Sequence, residues 1–283
     1  MTPDDHDTDT KAGRTADDSG PEPAVGTVAN PGRTDETPGS PSTQHDDTEL
    51  LGGLPAVVLV AALFAVALLV GRGVFLTAET LSGLDRSGTM GPLLVGVLGL
   101  QVLGFGSVTV VYLALRRQSP TAYLRLDAVT KWTVTAGVFV GMVLMVLTAA
   151  TSVFYGLLDL HRPATTATIG PPGPEYYLVL FVVSTLVAVP LEEIFFRGLL
   201  QRRLEESLHP AVAVTLASLW FVPVHTSLSL QTGGEALFVA LYFAFGLVLG
   251  VAYHLTENLF VPIVGHAMFN AVQILVRLAE LLV

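Results

Sequence analysis

Seven stretches of the chain are apolar enough to be read as helices that cross a bilayer. A crossing needs about 20 predominantly apolar residues. The pattern supplies candidates at 54–76, 91–115, 132–158, 176–204, 211–225, 236–253 and 259–283. The first is interrupted by Arg72, the last by Pro262, and the fifth is shorter than the rest. Each is expected to be helical, because hydrocarbon offers no partner for an unpaired backbone N–H or C=O. The fold class expected is all-α, a polytopic membrane bundle of about seven transmembrane helices.

Residues 1–49 differ from this pattern. They are rich in Asp, Thr, Gly, Pro and Ser and hold almost no large apolar residues. Such a segment cannot bury enough surface to offset its chain entropy, and it is expected to be a disordered acidic tail. It lacks the basic n-region and apolar h-region of a signal peptide, so the first hydrophobic segment is read as a retained span. The expected organisation is a tail over 1–49, N-terminal transmembrane helices over 50–175, and a core over 176–283.

Composition agrees with the pattern. The chain is 51% hydrophobic and 13% charged, with a mean hydropathy of +0.62, values that suit a multi-span membrane protein. The formal net charge is −10, and residues 1–50 hold twelve acidic against three basic residues. The acidity is thus a property of the tail and argues against nucleic acid as a partner. The absence of cysteine excludes disulfides, thiol nucleophiles and cysteine-based zinc sites. Basic residues gather after the second span (Arg116, Arg117, Arg125, Lys131) and after the fourth (Arg202, Arg203). By the positive-inside rule these loops, and with them the N-terminal tail, are expected in the cytoplasm of a cell-membrane protein, and seven spans would leave the C-terminus outside.

Against this apolar background three polar groups stand out, because ionisable residues inside a membrane are costly and mark functional sites. The first lies in "LEEIFFRGLL", where Glu193 and Arg197 are spaced i,i+4 and share a helix face. Glu192 points about 100° away, free of that pair. The second is "FVPVH", with Phe221 and His225 on one face near the end of the fifth span. The third is "GHAMFN", with His266 and Asn270 on one face of the last span and Gly265 permitting a close helix approach. Taken singly, each group also suits a packing role: an interhelical ion pair, an interfacial histidine, a hydrogen-bonded pair. Taken together they offer a carboxylate and a histidine able to deprotonate water, and a histidine and an amide able to hydrogen-bond an oxyanion.

In this order, "EEIFFR", "FVPVH" and "HAMFN" resemble the EExxxR, FxxxH and HxxxN motifs of the CPBP family of intramembrane proteases. That family includes type II CAAX prenyl endopeptidases and bacteriocin-processing relatives. The resemblance spans roughly residues 176–275 and lacks none of the motif positions. It implies that Glu192 activates the attacking water with His225, and that His266 and Asn270 form the oxyanion site. Glu193 and Arg197 would brace the helix that presents Glu192, and Phe221 would pack beside the site.

The activity so implied is that of an intramembrane endopeptidase acting on a membrane-embedded or lipidated peptide or protein, with the lipid bilayer as its medium. No cofactor is required in this reading. If zinc is bound, Glu192, His225 and His266 are its ligands, because catalytic zinc commonly takes three protein ligands and keeps an open position. Two other functions fit the same residues: a non-catalytic immunity or scaffold protein of the same fold, and a proton-coupled transporter using Glu192 and the histidines as a relay.

Overall fold

The computed structural model describes residues 44–85, 88–163, 173–226 and 230–282. The expected tail lies outside them as far as residue 43. Helix α1 begins at Gln44, taking up the last six residues of the segment expected to lack structure, and runs to Ser82. The fold is all-helical, and six helices are long and apolar enough to span a membrane. They are α1 (spanning over Gly53–Ser82), α2 (Met90–Leu115), α3 (Lys131–Leu157), α4 (Pro174–Glu205), α6 (Gly233–Thr256) and α7 (Phe260–Leu282). The chain is accordingly a multi-pass membrane protein.

The remaining apolar segment differs from the others. Helix α5 covers only Pro210–Val224. At about 1.5 Å per residue it is roughly 22 Å long, short of the ~30 Å hydrocarbon core. Its end tightens to a 3-10 turn over Val222–Val224, where Pro223 withholds a backbone N–H. The fifth stretch is therefore a short helix that ends at His225 instead of a full crossing.

Two helices depart from the α-helical register. Val97–Gly106 in α2, and Ser184–Ala188 and Ile194–Gln201 in α4, are π-helical. Such segments occur largely as short insertions and are often found at functional sites. Hydrophobic periodicity does not reveal them in segments that are apolar on all sides.

The segment "LEEIFFRGLL" lies at the centre of the bundle. Phe195, Phe196, Leu199 and Leu200 are fully buried. Phe195 stacks on Phe105 of α2 at 4.4 Å, and Phe196 meets Phe221 of α5 edge-on at 5.2 Å. Large apolar side chains such as Leu69, Leu115 and Leu255 face outward, as expected where lipid is the solvent. At one end, Glu205 of α4 collects Arg125, Arg202, His254 and Gln201 within 3.9 Å. Arg125 also pairs with Glu257 at 3.0 Å. At the other end of α6, Tyr155 of α3 donates to the Gly234 carbonyl at 2.7 Å. Arg125 and Arg202, two of the basic residues singled out by sequence, thus meet at one glutamate.

Helix α7 packs along α3 through small residues. A Cβ at Gly265 would lie 3.0 Å from the Gly137 carbonyl oxygen and 2.7 Å from a Val140 methyl. This is the close approach expected beside His266. Gly265→Leu is therefore expected to part α3 from α7, costing about 1–3 kcal/mol by overpacking and displacing His266. Thermal unfolding in detergent should show a lower midpoint for this variant than for Gly156→Leu, a site where a Cβ meets nothing within 4 Å.

Candidate active site

Helix α5 delivers His225 through a local rearrangement of its backbone. In the 3-10 turn the His225 N–H bonds to the Val222 carbonyl at 3.0 Å. The Phe221 carbonyl, which an α-helical His225 N–H would have taken, accepts instead from His225 Nδ1 at 3.0 Å. A carbonyl only accepts, so Nδ1 carries the proton. In the neutral ring Nε2 then holds a lone pair, and it faces Glu192 Oε2 at 3.7 Å.

His266 on α7 is set in the same way by a carboxylate. Its Nδ1 lies 2.8 Å from Glu193 Oε1, and its Nε2 lies 3.9 Å from Glu192 Oε2. The two adjacent glutamates of α4 therefore address the two nitrogens of one imidazole. One ligand atom from each of Glu192, His225 and His266 falls within 4.8 Å of the others. All three residues are shielded: Glu192 and His266 are buried, and His225 is partly so.

Arg197 is the buried counter-charge. Its Nε is 3.4 Å from Glu193 Oε2, both side chains being fully enclosed. Its guanidinium carbon lies 4.8 Å from the centre of the Phe221 ring, a cation–π distance. Phe221 also packs against the His225 ring at 4.1 Å. Phe221 thus separates the arginine from His225 while touching both.

Asn270 sits one helical turn beyond His266 on α7 and is partly buried. Its Nδ2 donates to Ser184 Oγ at 3.1 Å. The structure brings Glu192, His225 and His266 together, and pairs Asn270 with Ser184 of α4.

A family model described as Type II CAAX prenyl endopeptidase, Rce1-like, matches residues 174–272. A CPBP-family domain is thus matched over residues 174–272, and a family of that description implies a protease and a protein substrate. No curated protein and no solved structure matched the chain. The matched segment runs from the start of α4 into α7, so α1, α2 and α3 lie outside it.

The CPBP domain holds two contacts that sequence reasoning did not anticipate. Glu193 was paired with Arg197 by i,i+4 spacing, yet its other oxygen binds His266, 73 residues away. Ser184 was not singled out at all. A third partner comes from outside the matched segment: Gln101 of α2 donates to Glu192 Oε1 at 2.7 Å. A lone amide in an otherwise uncharged span was the available signal. The donor set also suits a metal. Two imidazole nitrogens and a carboxylate oxygen converge, and each ring is held by a hydrogen bond at its far nitrogen, as zinc-ligating histidines are.

Proposed function

We propose that the CPBP domain is an intramembrane endopeptidase that hydrolyses a peptide bond of a membrane-associated protein or peptide with a water held at Glu192. The observation that carries this reading is the convergence of His225 Nε2 and His266 Nε2 on Glu192 Oε2, at 3.7 Å and 3.9 Å. A water held there donates one hydrogen to Glu192 Oε2 and one to His225 Nε2, and its oxygen lone pair attacks the carbonyl carbon. Glu192 takes the proton released and passes it to the departing amine nitrogen. The products are one new carboxyl terminus and one new amino terminus.

The developing oxyanion needs donors. Asn270 Nδ2 has a second N–H besides the one given to Ser184. His266 serves when its imidazole carries both protons, with Glu193 as counter-charge at Nδ1. In that state two carboxylates, one guanidinium and one imidazolium sum to zero, the balance that a buried cluster favours.

If zinc is present, Glu192, His225 and His266 are the residues that would hold it, and its contribution would be to acidify a bound water. We favour the metal-free reading because His266 and Asn270 can act as oxyanion donors without an ion. Activity is therefore expected to survive exhaustive chelation. Zinc measured by mass spectrometry in active, purified protein should be well below one ion per chain; a stoichiometric ion whose removal abolishes cleavage would reverse this assignment.

The reading itself is tested by profiling peptide N-termini in membranes from cells expressing wild type or Glu192→Gln at equal levels. Termini present only with wild type are expected, and purified protein should reproduce those cleavages. An identical set of termini in both would remove the proposal.

A further inference from the structure

The second span contributes to a site that the family motifs place wholly in α4, α5 and α7. Gln101 is buried within the π-helical stretch of α2. A buried amide in an uncharged span is costly unless hydrogen-bonded. Its Nε2 is spent on Glu192 Oε1 at 2.7 Å, a charge-assisted bond of the stronger kind. The amide cannot be reversed, because its oxygen would then face a carboxylate oxygen. Gln101 Oε1 itself has no hydrogen-bond partner among the described residues, so the contact to Glu192 is the one that accounts for the amide.

We propose that Gln101 is a positioning residue for Glu192, an inference that rests on the proteolytic reading above. The bond has two effects on the base. It fixes the carboxylate plane, so that Oε2 and not Oε1 faces His225 and His266. It also occupies a lone pair of Oε1, which directs the water's proton to Oε2. Through Gln101, a helix outside the matched domain orients the group that acts on water.

A packing role for Gln101 makes a different forecast from a donor role, and two substitutions separate them. Gln101→Met keeps an unbranched side chain of similar volume and removes the N–H. Gln101→His adds a bulkier ring and keeps an N–H at about the same reach. The assay uses purified full-length chain in detergent and a quenched-fluorescence peptide spanning a cleavage found by the terminus profiling. For Gln101→Met, kcat is expected to fall about 10- to 100-fold, the usual range for losing a partner that orients a reacting group, with KM changed less than about threefold. Gln101→His is expected to retain more of kcat than Gln101→Met. If Gln101→Met does not purify as a single folded species, Gln101→Leu replaces it, also without the N–H and with the same ranking below Gln101→His. Equal or faster turnover by the variant lacking the N–H would overturn the inference while leaving the role of Glu192 intact. Full activity in Glu192→Gln would overturn both.

Discussion

Glu192→Gln is expected to leave a folded bundle that no longer cleaves. The replacement is isosteric and keeps the local hydrogen bonds. Its oxygen still accepts from Gln101, and its new N–H₂ points where Oε2 faced His225 and His266. It also removes a charge from a buried cluster, so thermal stability should be unchanged or higher. What is lost is the proton acceptor. General-base contributions are commonly about 10²- to 10⁴-fold, and turnover should fall by at least the lower figure with little change in KM. The measurement is kcat on a purified substrate peptide, paired with a thermal unfolding curve. A variant that is stable and inactive identifies a base. One that keeps its cellular role without any cleavage would instead favour a non-catalytic scaffold, and one that loses proton-dependent uptake in liposomes would favour a transporter.

The contrast between motif and environment explains how much of this site could be read beforehand. Glu192, His225 and His266 were legible because a polar residue in an apolar span is conspicuous, and because i,i+4 spacing places Phe221 with His225 on one face. The partners of those residues were less visible. Gln101 and Glu192 are 91 positions apart and Asn270 and Ser184 are 86 apart, and no local period connects them. The release of the Phe221 carbonyl to His225 depends on a 3-10 turn, and the placement of Gln101 and Ser184 on π-helical segments. Both are changes of backbone register that hydropathy does not report. The expectation of about seven spans came from an apolar run over 211–225 that forms only a short helix. One side of it, with Ala213, Ala217 and Phe221, packs into the bundle while Val212 and Leu219 face outward, so composition alone could not separate it from a crossing.

Arg197→Met is expected to be among the most destabilising single substitutions in the chain, and the reason is Glu193. The two side chains are fully enclosed and 3.4 Å apart. Removing the cation leaves a buried carboxylate with only His266 beside it, a change that typically costs about 3–5 kcal/mol. Neutralising both partners should undo most of that cost, because a buried pair replaced together is often near neutral. The double variant Glu193→Gln/Arg197→Met is therefore expected to unfold close to wild type, well above Arg197→Met. Its activity should not return with its stability. Gln at 193 still accepts from His266 Nδ1 through its oxygen, yet it brings no negative charge to support an imidazolium. Stability and turnover thus separate: the single substitution lowers both, and the double restores only the first. Thermal unfolding and kcat on the same three proteins measure this. Wild-type turnover in the double variant would mean that Glu193 serves only to brace α4, whereas a stable but slow double variant assigns it to His266 as well as to Arg197.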